Sequence, residues 1–415
     1  MKKTLDVYLD HVLVGYLMQD EVGHMRFVYD QAWVHRPNAM PISWSLPLKQ
    51  SVFSQKECRG FFSGILPEAA HRAIIARILG ISAHNDYAML EQIGGECAGA
   101  VTFLPTGTAL PEKFYDYKPV DNRELAELLT ELPKRPLLVG EPGLRLSLAG
   151  AQNKIAVYVN DVGEIFLPLG GAPSTHILKP AIARFSNIVS NEALCLALAE
   201  SVGIPTVRAE IGFAENVEYI LVKRYDRLKH DEAQYPIRLH QEDFCQALGI
   251  LPEHKYQNEG GPSLKDCCEL LRNASSQPAK DIQRLIDVTI FNIIIGNNDA
   301  HGKNFSLLFR ESHNTLITQL APAYDILSTV YYPELSHKMA MKIGKAYVSE
   351  KLVLKDIEAF AADVGLGRGA VLKRFAELAE QTIIHLPLLA KYYPKIQGLM
   401  TLIDERAAKV KKLVS

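Results

Sequence analysis

The apolar run Ile290-Phe291-Asn292-Ile293-Ile294-Ile295 passes directly into Gly296-Asn297-Asn298-Asp299-Ala300-His301-Gly302-Lys303-Asn304. The first stretch reads as a buried helix and demands a core to bury it. The second places an acid, Asp299, and an amide, Asn304, five positions apart. A carboxylate in such a place can orient a hydroxyl and accept its proton, and an amide oxygen suits a hard divalent cation. A second acid, Asp325, comes later in Ala321-Pro322-Ala323-Tyr324-Asp325-Ile326, just past a short hairpin. Two carboxylates and an amide converging after a buried helix make a candidate ATP–magnesium site.

The 415 residues, 48% hydrophobic and 22% charged, suffice for two or more packed units of a soluble protein. A formal charge of -2 and a pI of about 6.7 give no global basic excess pointing to nucleic acid, though a local patch stays compatible. The six cysteines are scattered, and Cys267-Cys268 are adjacent, which is awkward for two zinc ligands or a local disulfide. They read as reduced, buried thiols of a cytosolic protein. The histidines show no grouping at ligand spacing, which argues against zinc. Met1-Lys2-Lys3 precedes no long apolar segment, so no signal peptide is read, and no stretch reaches bilayer-spanning length. The expected location is the cytoplasm, away from membranes.

Alternation predicts strands at Leu5-Asp6-Val7-Tyr8-Leu9, from Val12 to Leu17 and at Met25-Arg26-Phe27-Val28-Tyr29. Helical spacing runs from Pro67 to Leu79, and a strand is expected at Ala100–Leu104. Thr106 to Pro119 reads as a linker. Further strands are expected from Ile155 to Val159, Glu164 to Pro168, Thr175 to Lys179, Thr206 to Ile211 and Tyr219 to Lys223, with a helix from about Ser190 to Val202. After Asp226 strand signals thin out. His240 to Leu248, Leu264 to Asn273, Asp281 to Ile295, Val353 to Val364, Arg368 to His385 and Lys395 to Val414 read as helices. A β-rich half leading into an α-rich half fits an α+β fold of two lobes with a cleft between them.

Protein kinases use the D-x-x-x-x-N spacing in their catalytic loop and place a metal-binding Asp after it. Several other residues acquire meaning beside that pattern. Lys179 ends a strand before Pro180 and could pair with nucleotide phosphates, although a lone strand-end lysine is equally a solvated cation. Glu192 opens the next helix and is the candidate ion-pair partner for such a lysine; glutamate there is also ordinary helix chemistry. Ser147-Leu148-Ala149-Gly150-Ala151-Gln152-Asn153-Lys154 is a small-residue loop whose amides could approach phosphate, or a plain turn into a strand. Lys223-Arg224-Tyr225 stands where a hinge would read adenine, or is simply an amphipathic strand end, and His301 could contact phosphate or orient Asp299. Lys409, Lys411 and Lys412 on the last helix read as a solvated basic end.

Taken together these segments resemble the HipA family, bacterial serine/threonine kinase toxins of toxin–antitoxin modules, and the likeness runs nearly end to end. Phe61 to Glu68, Leu90 to Gly95 and Gly99-Ala100-Val101 are similar to the family's N-terminal domain. Ser147–Lys154 resembles its phosphate loop, Thr175–Lys179 its ATP-lysine strand, and Gly296–Asn304 with Tyr324-Asp325-Ile326 its catalytic and metal segments. The resemblance implies a kinase-like α+β fold: a β-rich N-terminal lobe with an added N-terminal subdomain, and an all-helical C-terminal lobe. The expected divisions are a subdomain over 1–105, a linker and connecting helix over 106–143, a small lobe over 144–226 and a helical catalytic lobe over 227–415.

The resemblance also implies roles. Asp299 would be the catalytic base, and Asn304 and Asp325 the Mg2+ ligands. ATP contacts would come from Ala149, Gly150, Ala151, Gln152, Asn153, Lys154, Lys179, Lys223, Arg224, Tyr225, His301, Gly302, Lys303, Asn304, Tyr324 and Asp325. Ser147 matches the serine that family members autophosphorylate to switch themselves off. Asn153 stands where the family's loop often has Glu, and Lys223 where its best-known members have an acid. The implied partners are a helix-turn-helix antitoxin, operator DNA through that complex, and a protein substrate such as glutamyl-tRNA synthetase. Two other classes stay open: a catalytically silent corepressor partner of an antitoxin, and a small-molecule phosphotransferase. Asp299, Asn304, Asp325 and Lys179 together favour the enzyme, since a binding module needs none of them.

Overall fold

The computed structural model describes residues 3–108, 115–229, 235–312 and 315–415. The middle of the expected linker, 109–114, lies outside these. The chain separates into two compact units: Met1–Pro180 with Gly212–Glu253 and Leu307–Thr318, and Ala181–Ile211 with His254–Ser306 and Gln319–Ser415.

The first unit opens on an antiparallel four-stranded sheet ordered Met25–Tyr29, Val12–Gln19, Lys3–Leu9, Val101–Pro105. The expected alternation puts Leu5, Val7, Leu17 and Phe27 inside, and a bulge opposite Val7 and Tyr8 shifts the phase so that Val14 is buried as well. Gly15 is needed where strands crowd, because a Cβ there would lie 2.5 Å from Val28 O. The helices Gln55–Gly64 and Asp86–Ile93 pack on this sheet and bury Phe61, Phe62 and Leu90.

The unit's second sheet has six strands, ordered Ala209–Ala214, Val217–Lys223, His176–Pro180, Ile155–Val159, Ile165–Leu169, Asp116–Val120. Its inner strands bury Ile155, Ala156, Val157, Leu167 and Leu178 completely. The end of the expected linker is therefore a strand: Asp116–Val120 pairs with Ile165–Leu169, and its Pro119 is tolerated because the strand is at the edge. The strand expected from Thr206 starts three residues later, at Ala209.

A three-stranded sheet joins His240–Asp243, Ser306–Ser312 and Thr315–Leu320. The last two are the hairpin expected ahead of Asp325. The first corrects the helix expected from His240. Asp243 caps a short helix, Phe244–Ala247, by accepting from Gln246 N at 2.9 Å, so the helix starts there and the preceding residues pair as a strand.

The second unit is built from the helices Ile188–Ser201, Leu264–Ala274, Pro278–Ile295, Leu354–Asp363, Arg368–Leu389 and Gln397–Val414. Pro278–Ile295 starts with proline in its first turn, where no amide partner is lost. It packs against Leu264–Ala274, Arg368–Leu389 and Gln397–Val414, and Leu285, Ile290, Phe291, Ile294 and Ile295 are fully buried. Each such side chain contributes about 1.5–3 kcal/mol on burial, so the end of this helix is a stiff base for the loop that carries Asp299. All six cysteines are buried. No helix among the described residues is long and apolar enough to cross a membrane.

Candidate active site

In the second unit, the helix ends at Gly296, whose φ of +76° suits glycine and where a Cβ would lie 2.2 Å from Val330 Cγ2. Gly296 O accepts from Thr329 N (3.0 Å) and Val330 N (3.1 Å). The start of the loop is thus bonded to the segment just past Asp325. Arg406 donates to Ile293 O (2.8 Å) and Ile294 O (3.2 Å), satisfying carbonyls that the helix end leaves open.

Asn297 Nδ2 donates to Asn292 Oδ1 at 3.1 Å, and Asp299 N donates to Asn297 Oδ1 at 3.2 Å. Asp299 O accepts from Asn304 Nδ2 (3.1 Å) and His301 N (2.8 Å). The D-x-x-x-x-N spacing therefore closes on itself, with the amide of Asn304 bonded to the backbone of the acid. The Asp299 carboxylate accepts a 2.6 Å hydrogen bond from Tyr256 Oη. The same tyrosine ring meets His301 edge to face at 5.3 Å and 87°. His301, Gly302 and Lys303 are buried.

Tyr324 Oη donates to Lys303 O at 2.9 Å and shares a 2.6 Å bond with Ser306 Oγ. This ties the segment carrying Asp325 to the loop carrying Asp299. Asp325 itself has φ +57°, a left-handed conformation that aspartate visits at some cost. Ala323 holds it from the other side through Val207 N→Ala323 O (3.0 Å) and Ala323 N→Pro205 O (2.8 Å). Asn191 clasps the Ser328 backbone in both directions, at 3.0 and 2.9 Å. Its neighbour Glu192 is buried. The second unit thus brings Asp299, His301, Lys303, Asn304, Tyr324 and Asp325 into one bonded assembly.

In the first unit, Ser147 is 0% exposed and donates from Oγ to Ile65 O at 3.0 Å. It sits in a short strand, Leu146–Ser147, paired in parallel with Glu96–Cys97. The loop beyond turns at Gly150, φ +103°. Lys154 Nζ folds back onto Ala149 O at 2.9 Å, so its charge stays with Ala149–Asn153. His71 also meets this loop. Burial holds its pKa below the ordinary value, helped by the Lys154 charge and opposed by hydrogen bonds with Asn153 and Gly150. Lys179 is buried on the strand His176–Pro180, facing Ile220 across the ladder.

The proposed hinge residues part company. Lys223 is exposed; it opposes His176, whose pKa falls to about 4 through burial and then the Lys223 charge. Tyr225 Oη donates to Gln241 Oε1 at 2.6 Å. Arg224 turns inward: its guanidinium binds Asp226 (2.7 and 2.9 Å), Glu96 (3.1 Å), Ser174 Oγ (2.9 Å) and Cys97 O (2.9 Å). The side chain is committed to a buried ion network that also includes Arg227 and Arg238. Tyr256 and His71 were not singled out from sequence. A tyrosine in a polar loop and a histidine on an exposed helix carry no spacing signal, and only the fold delivers them.

No group of three or more His, Cys, Asp or Glu side chains able to hold a metal ion occurs among the described residues. The pair Asn304 and Asp325 offers hard oxygen donors. That chemistry fits Mg2+, which takes one or two protein oxygens and completes its shell with phosphate and water.

A β-rich unit with a phosphate-loop candidate, and a helical unit presenting an Asp–Asn loop, define an α+β protein of the protein-kinase-like class. Similarity to known proteins narrows this. Residues 5–104 match the HipA N-terminal domain, and residues 146–386 the HipA-like C-terminal domain. Y4mE of Sinorhizobium fredii, a candidate kinase by name, is 44% identical over 384 residues, covering 92% of this chain and 90% of its own. The serine/threonine-protein kinase toxin HipA of Shewanella oneidensis is 27% identical over 389 residues, covering 91% and 87%. The solved complex of Shewanella oneidensis HipA with HipB and operator DNA contains a chain that superposes with a TM-score of 0.84 at 24% identity, covering 99% of this chain and 96% of that one. The chain belongs to the HipA family of serine/threonine-protein kinases.

Proposed function

We propose that the chain is an ATP- and magnesium-dependent serine/threonine-protein kinase that arrests growth as a toxin, is held in check by a helix-turn-helix antitoxin on operator DNA, and is switched off by phosphorylation of Ser147. The observation that carries the catalytic part is the Asp299 loop. Its carboxylate is held by Tyr256 and its backbone oxygen by the Asn304 side chain.

In this reading Asp299 orients the acceptor hydroxyl and takes its proton as the O–P bond forms. Asn304 and Asp325 would hold Mg2+. That ion, when bound, offsets the charge of the phosphate groups. Lys179, Lys154 and His301 would contact the phosphates, and the amides of Ala149–Asn153 would offer donors. Lys223 to Tyr225 would meet the adenine through backbone groups, since the Arg224 side chain is engaged elsewhere. The antitoxin and DNA partners are carried over from the Shewanella complex. The first candidate acceptor is glutamyl-tRNA synthetase, on family resemblance.

The test is incubation of the purified chain with labelled ATP and magnesium, alone, with cell extract and with purified glutamyl-tRNA synthetase. Asp299→Ala and Asp325→Ala run beside the parent. Transfer is expected in the parent and a loss of several orders of magnitude in each variant. Near-normal turnover in either variant removes that residue from the mechanism. Expression without antitoxin is expected to stop growth, and normal growth under strong expression of soluble, ATP-competent protein refutes the toxin role.

A further inference from the structure

We infer that Tyr256 is a positioning residue for phosphate transfer: its hydroxyl holds the Asp299 carboxylate in the orientation that meets the acceptor hydroxyl. This rests on the reading of Asp299 as the base.

The geometry starts from the backbone. Asp299 is fixed at both its peptide groups, through N to Asn297 Oδ1 and through O to His301 N and Asn304 Nδ2. With the backbone fixed, the carboxylate is oriented by rotation of a short side chain, which exchanges its two oxygens. A 2.6 Å bond from a tyrosine hydroxyl restricts that rotation, provided the tyrosine is itself held.

It is held in three ways. Its carbonyl accepts from Glu259 N (2.9 Å) and Gly261 N (2.8 Å), closing a tight turn. Only glycine fits at 261, since a Cβ there would lie 2.5 Å from His254 O. The next residue is clamped on a second segment: Gln257 N donates to Ala340 O, and Lys342 N to Gln257 Oε1, both at 2.9 Å. Ala340 N in turn donates to Asn298 O at 2.8 Å, one residue before Asp299. The turn bearing Tyr256 and the loop bearing Asp299 therefore hang on the same short stretch of backbone. Third, the ring packs edge-on to His301 and lies under Lys255 Nζ at 5.5 Å.

The chemistry fits a positioning role. A phenol keeps its proton throughout the neutral range, so it donates to the carboxylate and does not compete for the proton that the acceptor gives up. Holding a reacting group in one orientation raises the rate of the chemical step without adding to nucleotide affinity.

Tyr256→Phe tests this, because it removes the hydroxyl and keeps the ring against His301. The probes are ATP–magnesium for binding by calorimetry, and labelled ATP with the chain itself and with glutamyl-tRNA synthetase for transfer. We expect kcat to fall about tenfold or more, with KM for ATP, the ATP dissociation constant and the melting temperature unchanged. A kcat within twofold of the parent overturns the inference. So does a faster variant, in which the hydroxyl would have been occupying the acceptor's place. So does a loss of ATP affinity matching the loss of rate, which would put Tyr256 in the nucleotide site. Asp299→Ala separates the two levels. If it retains activity, or if the parent transfers no phosphate at all, the base reading falls and Tyr256 with it. If it is inactive while Tyr256→Phe runs at full speed, only the positioning role is lost.

Discussion

Glu96 is the residue whose loss should be felt most widely in the first unit. It is fully buried, and its carboxylate accepts from Arg227 (2.8 Å), Arg238 (2.8 and 3.0 Å), Arg224 (3.1 Å) and both the amide and hydroxyl of Ser174 (3.0 and 2.8 Å). Burial alone would raise its pKa. The guanidiniums of Arg227, Arg238 and Arg224 outweigh that and bring it from 4.5 down to about 2. A separation of that size is worth about 3 kcal/mol at neutral pH. It agrees with the roughly 3–5 kcal/mol seen when one partner of a buried ion pair is removed. Asp226 is the other acid of the cluster, so the three arginines now leave one net positive charge, and Glu96→Gln leaves two.

Both tryptophans of the chain, Trp33 and Trp44, lie in the first unit. Tryptophan fluorescence during urea unfolding therefore reports that unit. With a slope of about 2 kcal/mol/M, the Glu96→Gln midpoint should drop by about 1–2 M at pH 7. The folded pKa is depressed, so the stabilisation is present above about 4.5 and fades as pH falls toward about 2. The gap between variant and parent should accordingly narrow below pH 4.5. An unchanged midpoint at pH 7, or a gap undiminished at pH 3, refutes the reasoning.

Lys179→Ala should weaken ATP–magnesium binding in calorimetry; equal affinity makes Lys179 a bystander. Glu242 is the opposite case to Glu96. Burial, with a smaller push from Asp243, raises its pKa to about 8 against the bonds it accepts from Ser43 Oγ and Trp44 N. Its contribution is full below about 4.5 and is lost as pH rises through about 8. Between pH 5 and 8 the parent should lose stability that Glu242→Gln keeps, and parallel stability curves for the two would exclude a proton on Glu242. Ser147 should gain phosphate slowly on incubation with ATP–magnesium, because its hydroxyl is buried against Ile65 O and the strand must open first. The added charge, roughly -1.5 to -2, should then abolish ATP binding. Peptide mapping that finds no phosphate at Ser147 in an active preparation, or full activity of the modified form, rules out the switch.

The parts of the fold that were legible are those where one physical signal dominates. Alternating burial matches Met25–Tyr29 and a short continuous apolar run matches Ile155–Val159, both to the residue, and the apolar run before Gly296 matches the central helix. Misreadings occurred where tertiary pairing overrides local pattern. His240–Asp243 consists of four polar side chains leading into a helical stretch, yet it pairs as a strand with Ser306–Ser312. Asp116–Val120 contains a proline and comes after a Gly- and Pro-rich stretch, and an edge position is what lets it be a strand.

The contact between Asp299 and Asn304 was legible for a different reason. Asp299 and Asn304 are close in sequence, so their spacing encodes their contact, and the 3.1 Å bond between them is a local consequence. Arg224 shows where local reading fails. From Lys223-Arg224-Tyr225 it is a cation at the end of a strand, ready for a nucleotide. Its partner Glu96 lies 128 positions away, and Asp226, two residues on, fixes the guanidinium inward. Tyr256 fails in the other direction, being 43 positions from the carboxylate it holds. Residues whose chemistry depends on a distant partner have no period to betray them. In this chain they frame Asp299 and bury the charge behind Lys223-Arg224-Tyr225. Substitution at Glu96 therefore tests the packing of the first unit, and substitution at Tyr256 the catalytic reading, from the side that sequence motifs leave blank.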